Sequence, residues 1–72
     1  LGRLRVLSGE QVGTILEAHG FHMIRTRGSH AVYQRRSESG SITVPVPMHR
    51  ELKVGTLASV IRQSGLPRSL FE

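Results

Sequence analysis

The sequence predicts a small α+β domain of order α-β-β-β-α, a three-stranded antiparallel sheet with two helices on one face. Three observations predict it. Two stretches with helical apolar spacing stand toward the two ends of the chain, three short β-rich runs lie between them, and glycine-containing turn signals separate the runs. At 72 residues there is room for one domain, residues 1–72, in which "LGRLRVL", Leu1–Leu7, reads as a short basic lead-in.

The first helix follows from "SGEQVGTILEAHGF", Ser8–Phe21. Ser8 with Gln11 three residues on has the form of a capping box, and Glu10 suits the positive end of the helix dipole. Val12, Ile15, Leu16 and His19 share one face. Gly20 supplies a left-handed residue after the helix, and Phe21 is the apolar partner such an ending uses. His19 is placed to cap the last carbonyls.

Phe21–Arg27 and His30–Arg36 read as strands joined by a two-residue turn, Gly28-Ser29, with glycine first. A turn of two residues sets Arg27 against His30, Arg25 against Val32, Met23 against Gln34 and Phe21 against Arg36, whereas a loop one residue longer would shift the register. Phe21, Met23 and Val32 then share a face with Arg25, Arg27 and His30, while Ile24, Ala31 and Tyr33 occupy the other. Neither face is cleanly apolar, so the pattern leaves the face under the helices open. "SESG", Ser37–Gly40, is the second turn. In "SITVPV", Ile42, Val44 and Val46 alternate with Thr43 and Pro45, and Pro45 puts this third strand at an edge because it has no N–H for a ladder. "PVPMHRELKVG" connects to the second helix, "GTLASVIRQSG". There Thr56 is the expected N-cap, Leu57, Val60 and Ile61 form the apolar stripe, Gly65 ends the helix and Pro67 prevents its continuation. "PRSLFE" is expected to add a last turn that docks Leu70 and Phe71.

Composition narrows function. Ten Lys and Arg against five Glu, with no Asp, give a net charge of +5, and every cation but Lys53 is arginine. That balance points to nucleic acid or an acidic protein partner, and guanidinium matches phosphate in a bidentate way that ammonium does not. No cysteine is present, which excludes disulfides and cysteine-type zinc sites and makes the cytoplasm the expected compartment. No apolar run approaches the ~20 residues of a membrane span. The five carboxylates, Glu10, Glu17, Glu38, Glu51 and Glu72, are scattered, and His19 and His22 lack a third ligand, so no metal and no cofactor is expected.

One constellation carries chemistry. Arg25, Arg27, Ser29 and His30 meet at one hairpin end in "RTRGSHAVYQRR", Arg25–Arg36. Cleavage of RNA by its own 2′-hydroxyl needs a base, an acid for the leaving 5′-oxygen, and positive charge for the phosphorane. Imidazole, with an ordinary pKa of about 6.5, serves in either proton role near neutrality, and arginines supply the charge. That requirement for a 2′-hydroxyl would make RNA, rather than DNA, the expected substrate. Arg25 and Arg27 would hold the scissile phosphate, Ser29 would shape the turn or donate a hydrogen bond, and Arg35, Arg36 and Lys53 would form a phosphate track. His49, in the connection before the second helix, is a candidate accessory acid or base. On the residues alone, His30 also fits an ordinary surface histidine after a Gly-Ser turn. Tyr33 fits either the core or a base-stacking role.

Taken together, "GFHMIRTRGSHAVYQ" (Gly20–Gln34), "ITVPV" (Ile42–Val46) and "ELKVGTLASVIRQSGL" (Glu51–Leu66) resemble the HicA family of toxin endoribonucleases. The resemblance covers the chain from about Ser8 onward. It rests on ordered anchors: Gly20-Phe21, Arg25, Gly28-Ser29-His30, Val44-Pro45, Gly55-Thr56-Leu57 and Arg62-Gln63-x-Gly65-Leu66. It implies a double-stranded-RNA-binding-like fold, metal-independent mRNA cleavage with His30 catalytic, and a HicB-type antitoxin, acidic relative to the toxin, that covers the site. The chain departs from the pattern in "VPVPMHRE", where Pro47 stands in place of a histidine carried by many relatives and His49 follows two residues later. The rivals from other classes are a non-catalytic RNA-binding module of the same fold and a protein-interaction adaptor. The first is disfavoured because the chain has a single Lys and no basic cluster opening the second helix.

Overall fold

The computed structural model describes residues 2–72. Its elements run α1 (Gly9–Ala18), β1 (His22–Arg27), β2 (His30–Ser37), β3 (Gly40–Pro47), α2 (Val54–Ser64) and a closing 3-10 turn, Arg68–Phe71. The strands form one antiparallel sheet in the order β1-β2-β3, so the α-β-β-β-α order is the one the sequence predicts. Among the described residues no helix is long and apolar enough to cross a membrane.

α1 begins and ends as its sequence dictates. The Gln11 N–H donates to Ser8 Oγ at 3.0 Å, and the Ser8 N–H donates to Gln11 Oε1 at 2.9 Å, a complete capping box. At the other end Gly20 takes φ +91°. The Phe21 N–H reaches the Leu16 carbonyl at 3.1 Å and the Gly20 N–H the Glu17 carbonyl at 3.4 Å, the paired bonds of a Schellman ending. His19 Nδ1 donates to the Ile15 carbonyl at 2.9 Å, capping the helix as expected.

The helices cover the sheet face that carries Ala31, Tyr33, Val44 and Val46, all buried, together with Phe21, Leu57, Val60 and Phe71. Gly9 and Gly13, one turn apart, let α1 lie close. A methyl on Gly9 would strike the backbone of Pro47 and Met48, and one on Gly13 the Tyr33 hydroxyl. Tyr33 is thus a core residue beneath α1. Burial, and then the carboxylates of Glu17 and Glu10, raise its phenol pKa above the ordinary value.

Two expectations are corrected. The ladder between β1 and β2 keeps Arg27 opposite His30 and Arg25 opposite Val32, but a bulge at Ile24 then shifts it. Met23 therefore faces Tyr33 rather than Gln34, His22 faces Gln34, and Phe21 leaves the ladder altogether. A bulge sets two residues of one strand against one of the other, so side chains beyond it exchange faces. Met23 moves to the helix side and Ile24 to the open side. Second, α2 starts at Val54 with Lys53 as its N-cap and no side-chain cap bond, so Thr56 lies inside the first turn. The chain is already fixed there: Leu52 is buried and its N–H donates to the Leu7 carbonyl at 2.8 Å. Of the lead-in, Leu1 lies outside the described residues, and the rest is anchored to the body. Leu7 belongs to the core, and the Arg5 N–H donates to the Phe71 carbonyl at 2.8 Å, tying the two ends together.

Candidate active site

The site lies on the sheet face that the helices leave uncovered. Gly28, at φ +59°, and Ser29, with an ordinary negative φ, make the tight turn between β1 and β2. The strand ends beside the turn hold Arg27 and His30 opposite each other, with Arg25 opposite Val32. Directly opposed side chains start about 5 Å apart at Cβ. β2 is the central strand, so His30 also has a neighbour on its other flank, Pro47 of β3. The Ser29 carbonyl accepts from the Met48 N–H at 2.7 Å, which pins the hairpin tip to the end of β3.

Arg25, Arg27 and His30 line one open depression of about 350 Å³, completed by Val32, Thr43 and Pro45. Val32 is 5% exposed although it lies on the open face, because these neighbours enclose it. Neither arginine pairs with a carboxylate: the ion pair found among the described residues is Arg68 with Glu72, at 3.0 Å. The depression thus offers two unneutralised guanidinium groups and an exposed imidazole around a small apolar floor. Thr43 and Pro45 were not named as site residues from the sequence. The signal was their alternation with Ile42, Val44 and Val46, which puts them on the face opposite the core.

The other sequence candidates are spread out. Ser29 is exposed at the turn. Arg36 is on the open face but farther along β2, beside His22, Ile24 and Gln34. Arg35 points the other way: its guanidinium sits 5.0 Å from the centroid of the Phe21 ring and donates to the His19 carbonyl at 3.2 Å. Lys53 stands at the start of α2 in the helical layer. His49 lines a separate depression with Ser8, Glu10, Met48 and Arg50 at the start of α1, and its carbonyl accepts from the Gly9 N–H at 2.9 Å. Among the described residues no three His, Cys, Asp or Glu side chains gather as metal ligands.

A family model described as "HicA toxin of bacterial toxin-antitoxin" matches residues 9–66, from the first residue of α1 to just past the end of α2. The chain belongs to the HicA toxin family. Membership gives it a toxin's role in a toxin–antitoxin pair, with an antitoxin as partner. The HicA match takes in the whole sheet, and with it His30, Arg25 and Arg27. No curated protein matches the chain.

Proposed function

We propose that this HicA-family chain is a metal-independent endoribonuclease that cleaves mRNA through His30 and is neutralised by a HicB-type antitoxin covering the open sheet face. The observation that carries the reading is the gathering of His30, Arg25 and Arg27 in one open, carboxylate-free depression of a toxin-family chain. In the reaction, His30 takes the proton of a ribose 2′-hydroxyl as the 2′-oxygen attacks the adjacent phosphorus. The bond from phosphorus to the 5′-oxygen breaks, and the leaving oxygen receives a proton from the imidazolium or from water. The products are a 2′,3′-cyclic phosphate and a 5′-hydroxyl. Arg25 and Arg27 stabilise the negative charge that grows on the phosphorane oxygens, where fixed cations act most strongly. Ser29 holds the turn through its backbone. Pro47 cannot transfer a proton, so the position facing His30 across β3 contributes shape alone, and His30 serves as base and acid in turn.

The test is cleavage of single-stranded RNA in buffer containing EDTA, with the products' termini identified. Wild type should yield 2′,3′-cyclic ends, and His30→Ala should lose about 10²–10⁴-fold in rate, the usual worth of a positioned acid–base group, while keeping its fold and RNA affinity. Undiminished cleavage by His30→Ala would overturn the assignment. RNA binding by a wild type that cuts nothing would favour the non-catalytic module instead.

A further inference from the structure

The open face continues past Val32. Away from the turn, a second depression is lined by Gly20, His22, Ile24, Gln34 and Arg36. Gln34 and Arg36 extend the row begun by His30 and Val32, and His22 stands opposite Gln34. The bulge turns Ile24 onto this face, where it is 42% exposed. Gln34 Nε2 donates to Thr43 Oγ1 at 3.1 Å. Thr43 lines the His30 depression, so the two hollows share a wall, and the bond orients the Gln34 amide. Arg36 has no ion pair among the described residues. No strand residue of the open face is a carboxylate: Glu10 and Glu17 are on the α1 side, Glu38 is in the turn after β2, Glu51 precedes α2 and Glu72 pairs with Arg68.

We propose that this second hollow is a subsite for the same RNA, holding a nucleotide a few positions along a single strand from the bond cut at His30. The inference rests on the ribonuclease reading above. Gln34 lies four residue steps along β2 from His30, roughly 14 Å at the rise of an antiparallel strand, which exceeds one backbone step of a nucleic acid. Arg36 takes a phosphate bidentately. Ile24 gives a base an apolar bed, and Gln34 and His22 offer hydrogen bonds to its edge. Only an unpaired base can lie flat on Ile24 and show that edge, so the site selects single strands over duplex.

The experiment uses 2′-O-methyl RNA, which keeps phosphates and bases but has no 2′-hydroxyl to react, as a hexamer and as a dimer too short to span both hollows. Binding is followed by NMR titration of wild type, the double variant His22→Ala/Arg36→Ala, and Arg62→Ala as a control that removes one positive charge from α2. The double variant should bind the hexamer about tenfold more weakly, an effect that fades as salt is raised, with dimer affinity unchanged and Arg62→Ala like wild type. With cleavable RNA, its KM for the hexamer should rise while kcat and dimer cleavage stay level. Unchanged hexamer binding overturns the proposal, and if antitoxin binding alone is weakened, the hollow belongs to the protein partner. Equal loss for hexamer and dimer also overturns it. A wild type that shows the binding pattern but cuts nothing leaves the subsite standing and defeats the ribonuclease reading.

Discussion

Gly9→Ala is expected to loosen the seat of α1 on the sheet. A methyl group there would collide with the Pro47 carbonyl oxygen and come within 2.8 Å of Met48 Cα and 3.0 Å of the Pro47 carbonyl carbon. All three are backbone atoms, so no side chain can swing aside, and α1 must lift at its first turn. Overpacking of this kind costs about 1–3 kcal/mol. The Gly9 N–H bond to the His49 carbonyl, 2.9 Å long, is strained as well, with about 1 kcal/mol at stake. Alanine's better helix propensity offsets at most about 1 kcal/mol. The net expectation is a loss of about 1–3 kcal/mol, equivalent to about 4–8 °C in Tm per kcal/mol for a domain of this size. Gly55→Ala is the matched control: it lies in the first turn of α2 with nothing within 4 Å of the added methyl, and should gain about 0.5–1 kcal/mol. Urea denaturation followed by far-ultraviolet circular dichroism, in a His30→Ala background to avoid toxicity, reads both. A Gly9→Ala protein as stable as its parent would show that α1 does not rest on β3 as described.

Three further outcomes are expected. Arg27→Ala should lower kcat/KM for RNA by about 10–100-fold, with Arg27→Lys recovering part of it, because the guanidinium beside His30 stabilises developing charge; equal activity of all three proteins would remove Arg27 from the site. Arg35→Ala should cost about 0.5–1 kcal/mol through its contact with Phe21 and leave RNA affinity unchanged, whereas a fall in affinity with stability intact would place it on the phosphate track after all. Stability should decline as pH rises past about 10: burial raises the folded-state pKa of Tyr33, so the unfolded chain loses its phenol proton first and is favoured between the unfolded and folded values. Tyr33→Phe should flatten that alkaline decline in a pH series of urea titrations.

Much of the architecture is written in local chemistry. Ser8 with Gln11, Gly20 with Phe21, and Gly28-Ser29 each fix a boundary with a few backbone bonds, and those boundaries stand where the residues put them. The Arg27–His30 pairing was equally legible, because a two-residue turn leaves no freedom next to it. The bulge at Ile24 was not. "HMIRT" contains no glycine or proline to announce it, and the shift arises where Phe21, held by the helix ending, must enter the core while Arg25 keeps step with Val32. The contacts of Arg35 were hidden for a related reason. An arginine in a basic run looks like one more phosphate contact until the fold supplies an aromatic ring and a carbonyl for it. Lys53 replaced Thr56 as the N-cap because a long-range bond from Leu52 to Leu7 sets where the chain turns, and such a bond leaves no local mark.

Pro45 and Pro47 have a consequence beyond their own strand. Proline has no amide hydrogen, so the β3 flank presents a broken row of donors to any chain that tries to zip alongside it. The opposite flank, β1, is free of proline and carries Arg25 and Arg27. Growth of the sheet sideways is therefore directed to one rim, and a visitor stitched on there comes to rest against the guanidinium groups rather than behind them.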